Sequence, residues 1–209
     1  MAELRSGTYG SYYGSTYSTS DSLNQSQMEV NAQYITKYLI DKGWTKNAIA
    51  GMLGNLQVES ALNPGRWQSD NVGNTSGGYG LVQWTPATNY LEWVSSQGLG
   101  DASTMDNNLA RIIYELEHGL QWIATSEYNL SFEEFTKSTE SSSYLASAFL
   151  KCYERAGVEV ETIRQLNAIS WFNYINSNMG GSVSYKFKKK RFKFVIFNKR
   201  RFTWRKKKC

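Results

Sequence analysis

The sequence predicts a mainly α domain of the α+β class, a helical bundle with one small β-hairpin. Apolar residues recur at helical spacing through most of residues 28–179, which is typical of amphipathic helices. One stretch, residues 66–86 (RWQSDNVGNTSGGYGLVQWTP), is instead dense in Gly, Asn, Ser and Asp with aromatic residues at both ends, as in a hairpin with a long turn. No segment repeats with a period of about 20–50 residues, which excludes a repeat architecture.

The composition changes twice along the chain and divides it into three zones. Residues 1–27 are rich in Gly, Ser, Thr and Tyr and almost free of aliphatic residues, which predicts either a disordered arm or an anchor that orders against a partner. Residues 28–179 contain the predicted folded domain. Residues 180–209 form a basic, aromatic tail: 13 of the 23 Lys and Arg residues lie between Lys186 and Lys208, and the rest of the chain, with ten basic and 18 acidic residues, carries a net charge of −8.

The basic tail has two explanations that the sequence leaves open. Lys, Arg and aromatic side chains together suit phosphate polymers such as teichoic acids, or the anionic headgroups of a membrane surface; no specific nucleic-acid partner is predicted. The abrupt change in composition also fits out-of-frame translation of an A-rich coding stretch.

Several classes of segment and site are not predicted. The chain has no apolar run long enough for a transmembrane helix, and its polar N-terminus lacks the apolar region of a signal peptide. Two cysteines, Cys152 and Cys209, do not make a disulfide framework. Because His118 is the single histidine, neither a zinc site nor a His-based nucleophile relay is expected, and no metal or cofactor is predicted.

The first two helices are indicated by apolar spacing and by their ends. Gly43 is expected to end the first helix and Thr45 to cap the second. The apolar positions are Val30, Tyr34, Ile35, Tyr38 and Leu39 in the first helix, and Ile49, Met52, Leu53 and Leu56 in the second.

The later helices follow the predicted hairpin. Thr85–Pro86 is typical of an N-cap followed by proline at the first helical position, and Ser131 with Glu134 forms a capping box. The five helices are predicted at 86–97, 104–122, 131–138, 142–155 and 158–176.

Glu59 is unusual because it continues the apolar stripe of the second helix, three residues after Leu56 and seven after Met52. Burial disfavours the ionised form of a carboxyl group, and the nearby C-terminal end of the helix dipole does so too. A carboxyl group kept neutral near pH 7 is what a general acid requires. Spacing alone leaves open the alternative of a structural glutamate that hydrogen-bonds the following turn.

Two stretches resemble the phage tail lysozyme family, the lysozyme-like domains of tail-tip and tail-knob proteins in phages of Gram-positive hosts. They are GWTKNAIAGMLGNLQVESALNPGRWQ and GNTSGGYGLVQWTPATNY, and ASAFLKCYERAG is similar to a third motif of the family. The resemblance covers residues 28–176. The broader relatives, goose-type lysozymes and lytic transglycosylases, share a helix that ends in Glu-Ser and a later Gly-Leu-x-Gln. The resemblance implies a lysozyme-like fold with the hairpin beside an active-site cleft.

The resemblance also implies an activity, cleavage of the β-1,4 bond between N-acetylmuramic acid and N-acetylglucosamine in bacterial peptidoglycan. Glu59 matches the catalytic acid that protonates the departing glycosidic oxygen. Asp70, in the predicted hairpin, is the candidate second carboxylate that activates water, or simply a turn residue. Some relatives work without a clear second carboxylate, and in the transglycosylases a hydroxyl group of the sugar replaces water, so both outcomes stay open.

The expected substrate contacts lie in the hairpin and in the third motif. Gln83 matches the family position whose amide orients substrate or water, and Tyr153 and Glu154 match the motif in which relatives place a tyrosine against the acid. The others are residues suited to stacking on sugars, to close backbone approach or to bonding N-acetyl groups: Trp67, Tyr79, Gly80, Trp84, Asn74, Thr75 and Ser76. Each also has a structural explanation, as a packing or turn residue.

Two classes of function follow from the resemblance. The first is a muramidase carried at the tail tip of the phage virion, with the arm at residues 1–27 docked on phage tail proteins; a free lysin is a variant of it. The second is a non-catalytic peptidoglycan-binding or structural tail module. The joint presence of Glu59, Gly80 and Gln83 favours the enzyme.

Overall fold

The structure, a computed structural model, describes residues 2–6, 13–156 and 160–179. The basic tail predicted at 180–209 lies outside the described residues. In chain order the elements are β1 (Glu3–Ser6), β2 (Ser15–Ser18), α1 (Gln25–Asp41), α2 (Lys46–Ser60), a 3-10 turn (Gln68–Asp70), α3 (Thr88–Ser96), α4 (Met105–Glu117), α5 (Phe132–Lys137), α6 (Ser142–Phe149), a π-helical turn that continues it (Leu150–Glu154), and α7 (Glu161–Asn178).

Helix α2 lies at the centre of the core and packs against both α6 and α7, which also pack against each other. Two glycines permit this close approach. A Cβ atom at Gly54 would lie 2.4 Å from the backbone oxygen of Arg164, and one at Gly51 would lie 2.8 Å from the Cβ of Leu145. Since neither distance leaves room for a methyl group, the glycines fix how near α2 lies to its neighbours.

The predicted helix ends are largely confirmed. Thr45 caps α2 by accepting a hydrogen bond from the Ala48 amide, and Ser131 with Glu134 forms the capping box of α5. Helix α4 is the exception, because it ends at Glu117 rather than at residue 122. Gly119 (φ 63°) and Gln121 (φ 64°) adopt left-handed conformations there, which a helix cannot accommodate.

The start predicted for α3 is wrong. The helix begins at Thr88 after Ala87, which provides no side-chain cap, and the Thr85–Pro86 peptide is cis. The Thr85 hydroxyl donates to the carbonyl oxygen of Gln83 rather than accepting from a helical amide. Proline therefore belongs to the preceding loop.

The mainly α fold with one small antiparallel sheet is confirmed, but the sheet is not where the turn residues indicate. Strands β1 and β2 pair from Glu3 with Ser18 to Ser6 with Ser15, whereas residues 66–86 contain only the isolated bridges of Tyr79 with Trp67 and with Trp84. We attribute this to the polar side chains that bind the loop backbone in place of a partner strand: Gln68 accepts from the Gly78 amide at 2.8 Å and Asn108 from the Leu81 amide at 2.9 Å. This loop, residues 66–86, is called the cleft loop below.

The described residues of the N-terminal arm are folded against the helical body. The buried Asn31 side chain accepts from the Tyr17 amide at 2.7 Å and donates to the Tyr17 carbonyl oxygen at 2.8 Å. The buried Asn63 side chain bonds the amide and carbonyl groups of Thr19 in the same way. Asparagine side chains of the helical body thus provide hydrogen-bond partners for backbone groups of the arm, which has few apolar residues to bury.

We predict that Gly54→Ala destabilises the domain by about 1–3 kcal/mol, because the added methyl group overpacks the contact of α2 with α7. Urea unfolding monitored by circular dichroism measures the change. Ser170→Ala, on the exposed side of α7, is the control and should stay within about 0.5 kcal/mol of the wild type. An unchanged midpoint for Gly54→Ala would show that the two helices can separate at little cost.

Candidate active site

A cavity of about 600 Å³ opens between the end of α2, the cleft loop, α4 and the π-helical turn. It brings together six of the residues that the sequence singles out, from three separate segments of the chain: Glu59, Trp67, Gln83, Trp84, Tyr153 and Glu154. Its volume is in the range of small-molecule sites. The cavity is the candidate active site.

Glu59 occupies the penultimate position of α2, and the backbone beyond it is sharply turned. Ala61 and Leu62 both adopt positive φ angles, 54° and 55°, so the helix ends immediately after Ser60. The Ser60 hydroxyl donates to the carbonyl oxygen of Leu81 at 2.8 Å, which ties the helix end to the cleft loop. The Glu59 side chain, 18% exposed, is therefore held on the cavity wall.

Arg164 of α7 lies directly against Glu59, a partner that the apolar stripe of α2 does not indicate. Its Nη2 donates to Glu59 Oε1 at 2.7 Å, although the Arg164 side chain is only 3% exposed. Its Nη1 donates to Asn55 Oδ1 at 3.1 Å, and Asn55 is in turn fixed by the carbonyl oxygens of Gly51 and Ala146. The carboxylate of Glu59 thus receives a charge-assisted hydrogen bond from a rigidly held donor.

Glu154, the last residue of the π-helical turn, presents a second carboxyl group to the same cavity. Its Oε1 atom is buried and has no hydrogen-bond partner in the described part of the chain. Burial raises the pKa of Glu154 well above its usual range, and the neighbouring Glu59 charge raises it further while Arg164 opposes the shift. The cavity is therefore lined by a carboxyl group whose surroundings favour its protonated form and by a second one that is paired with arginine.

Glu115 of α4 is a third acidic group on the cavity wall, which the sequence analysis missed. It is 2% exposed, and its Oε1 accepts from Trp84 Nε1 at 2.9 Å and from Arg111 Nε at 2.8 Å. Its Oε2 accepts from the Tyr153 hydroxyl. Because it follows Ile112 by three residues, it continues an apolar stripe as Glu59 does, and that signal was available in the sequence.

Glu115 orients the side chains of Tyr153 and Trp84, because its carboxyl group accepts a hydrogen bond from each of them. Burial raises the pKa of Tyr153 well above its usual range, and the Glu115 carboxylate adds to the shift, so the phenol stays a neutral donor. The Trp84 ring is also stacked on Tyr90 at 4.4 Å. Both side chains are therefore preorganised before any ligand enters.

Gln83 takes a positive φ of 50° and lines the cavity. Its amide nitrogen donates to the carbonyl oxygens of Gly80 at 2.9 Å and Arg66 at 3.2 Å, which fixes the side chain across the cleft loop. Gly80 itself does not line the cavity; a Cβ there would lie 2.6 Å from Asn108 Oδ1. Its role is to let the loop approach α4.

Asp70 lies apart from the carboxyl groups of the cavity. Its side chain is 57% exposed and pairs with Arg66 Nη2 at 2.9 Å, and it is absent from the cavity lining. Arg66 does line the cavity, so Asp70 touches the site only through that guanidinium group.

The remaining predicted contacts belong to the interior or to the tip of the cleft loop. Tyr79 is 5% exposed and packs against Trp67, with ring centroids 4.4 Å apart. Asn74, Thr75 and Ser76 are exposed at the tip, where Asn74 Oδ1 accepts from the Ser76 amide. None of these four residues lines the cavity, and their contact with a ligand stays a prediction.

The described residues offer no other chemistry of comparable kind. They contain no cluster of His, Cys, Asp and Glu suited to a metal ion, and Cys152 is buried with a free thiol. Of the helices that the structure describes, none combines the length and apolar character needed to cross a bilayer. Proton transfer by carboxyl groups is the chemistry that the cavity supports.

The part of the chain that contains the cavity matches known proteins. The family model described as phage tail lysozyme matches residues 30–175. A curated relative, Morphogenesis protein 1 of Bacillus phage B103, is 51% identical over 156 residues. The matched region is 75% of this chain but 42% of that relative, so the chain spans less than half of the relative's length.

We predict that Glu154→Gln makes the domain more stable than the wild type at neutral and alkaline pH. The pKa of Glu154 is raised in the folded state, so the unfolded chain loses this proton first as pH rises above about 4.5. The wild type then loses stability as pH increases through the folded-state pKa, whereas a neutral amide has no such dependence. Urea unfolding at intervals between about pH 4 and pH 8 should give a difference that grows with pH.

Glu140→Gln is the matched control for this comparison, because Glu140 is exposed between α5 and α6. Its stability should follow the wild type across the range. A Glu154→Gln difference that is the same at every pH contradicts the assignment of a neutral buried carboxyl group.

Proposed function

Because the chain belongs to the phage tail lysozyme family, we propose that it is a muramidase that hydrolyses the β-1,4 bond between N-acetylmuramic acid and N-acetylglucosamine in bacterial peptidoglycan. The observation that carries the proposal is the position of Glu59. Its carboxyl group lies on the wall of a cavity of about 600 Å³, fixed by Arg164 and beside the neutral Glu154. Carboxyl groups held in such surroundings are the acids of glycoside hydrolysis.

In the proposed reaction Glu59 delivers a proton to the glycosidic oxygen. The bond from this oxygen to C1 breaks, and positive charge develops on the sugar ring. Water then bonds to C1 and releases a proton. The carboxylate left on Glu59 lies next to the developing positive charge, which it stabilises.

The sugar chain would be oriented by the fixed aromatic and amide groups of the cavity. Trp67 and Trp84 both line it and offer ring faces for stacking. Gln83, held by two carbonyl oxygens, and the Tyr153 hydroxyl offer polar groups near the acid. Preorganised contacts of this kind reduce the entropy lost on binding.

We propose further that the domain acts at the tail tip of a phage virion and opens the cell wall locally during genome entry. The phage tail family and the relative named as a morphogenesis protein support a phage context. The N-terminal arm, whose Leu4 is 57% exposed, would contact phage tail proteins with its outer face. Binding of teichoic acids or a membrane surface by residues 180–209 stays a prediction from composition.

We predict that Glu59→Gln lowers the rate of peptidoglycan digestion by about 10²–10⁴-fold, the usual contribution of a general acid. Purified peptidoglycan is incubated with the wild type and the variant, and the products are identified by mass spectrometry. The wild type should release new reducing ends, and the variant should still bind peptidoglycan in a sedimentation assay.

Glu140→Gln, with an exposed carboxylate removed, should match the wild type. Full activity of Glu59→Gln contradicts its assignment as the acid. Products with 1,6-anhydro ends identify a lytic transglycosylase of the same bond, and binding without any cleavage by the wild type identifies a non-catalytic module.

A further inference from the structure

Glu59 and Glu154 both line the cavity, and Arg164 lies behind them against Glu59. Glu59 comes from α2, Glu154 from the π-helical turn and Arg164 from α7. Arg164 donates to Glu59 at 2.7 Å and to Asn55 at 3.1 Å; no hydrogen bond from Arg164 to Glu154 occurs in the structure. The Arg164 guanidinium group is therefore hydrogen-bonded to Glu59 and acts on Glu154 only through its charge.

Four charged groups act on the pKa of Glu154. Glu59 and Arg164 act from α2 and α7, Glu115 acts from α4, and Arg155 acts from the adjoining residue. The Arg155 guanidinium is bound to the carbonyl oxygens of Gln121 and Cys152. The Glu154 Oε1 atom, buried without a partner, would carry a large desolvation cost if the group were charged.

A single glutamate paired with arginine is a poor proton donor near neutral pH, because the ion pair favours the carboxylate. A second carboxyl group nearby opposes ionisation of the first. Because two negative charges at one site are unfavourable, the pair retains one proton. The raised pKa of Glu154 agrees with a proton kept at this end of the cavity.

We propose that Glu59 and Glu154 act as a pair that holds one proton between them, and that this shared proton is the one transferred to the glycosidic oxygen. The inference rests on the proposed muramidase function and deepens it. Glu154 acts through Glu59 and is a positioning residue for the proton. Of the two carboxyl groups, Glu59 is the one that delivers the proton to the glycosidic oxygen.

The protons balance over one cycle. Before reaction the pair carries one proton and one negative charge, which Arg164 compensates. Transfer breaks the acid O–H bond, and the departing glycosidic oxygen keeps the electron pair of its bond to C1 and becomes a hydroxyl group. Both carboxyl groups are then ionised, and their repulsion favours recapture of the proton that water releases when its oxygen bonds to C1.

The test is the pH dependence of peptidoglycan digestion by wild type, Glu154→Gln, Glu154→Asp and Glu140→Gln. For Glu154→Gln we expect a rate about tenfold or more lower at pH 7 and an alkaline limb moved to lower pH by about one unit. Below about pH 5 its rate should recover towards the wild type, because the remaining carboxyl group is then protonated without help.

Glu154→Asp keeps a carboxyl group, so its pH profile should have the wild-type shape even if its rate is lower. If the Gln variant does not fold, the Asp variant carries the test, and an alkaline limb moved to lower pH would then overturn the inference. Glu140→Gln should reproduce the wild type at every pH.

Two outcomes overturn the inference while the proposed function stands. One is a Glu154→Gln profile that superimposes on the wild type. The other is a rate lowered by the same factor at every pH, which is the result of a structural role. A wild type that releases no reducing ends at any pH overturns the proposed function and the inference with it.

Discussion

The arrangement of the site depends on the buried ion pair of Arg164 with Glu59. A guanidinium group that is 3% exposed is costly unless its donors are satisfied. Glu59 and Asn55 accept from its two terminal nitrogens, while its Nε is buried without a partner in the described residues. The two acceptors lie one turn apart on α2, and Gly54, next to Asn55, lets that helix contact the backbone of α7. Loss of Glu59 would leave the Arg164 charge uncompensated in the core, and loss of Asn55 would leave a donor without an acceptor, so these contacts fix both helices beside the cavity.

Buried polar contacts also hold together the part of the cavity wall that the cleft loop, α4 and the π-helical turn form. Glu115, 2% exposed, accepts from Trp84, Arg111 and Tyr153, and so joins the cleft loop, α4 and the π-helical turn. The loop backbone is bound by the side chains of Gln68 and Asn108 as well as by its own isolated bridges. Buried polar groups of this kind have few alternative partners, so they specify one loop conformation. Glu154 Oε1 is one of six buried side-chain atoms without a hydrogen-bond partner in the described residues, and its residue lines the cavity.

Local signals in the sequence located most of the helices, and motif resemblance found six of the residues that line the cavity. Thr45 and Ser131 cap the helices that they are predicted to cap, because capping depends on residues within one turn. The place of the sheet and the packing of the arm depend on partners distant in the chain, such as Asn31 for Tyr17, which local patterns do not show. The contact of Arg164 with Glu59 could not be predicted for the same reason. The two residues are 105 positions apart, and helical spacing does not indicate which residues of different helices pair.

The presence of an arginine beside a candidate acid is at first sight unfavourable, since it opposes protonation. The difficulty disappears when the charge is counted over Glu59, Glu154 and Arg164 together. Without the guanidinium group, a negative charge on the pair would have no compensating charge bound to it. With the guanidinium group present, the three side chains together are electrically neutral when the two carboxyl groups carry one proton. Losing or regaining that proton changes their net charge by one unit. In the proposed mechanism Arg164 therefore sets the number of protons at the site, Glu154 keeps that proton available near neutral pH, and Glu59 directs it to the substrate.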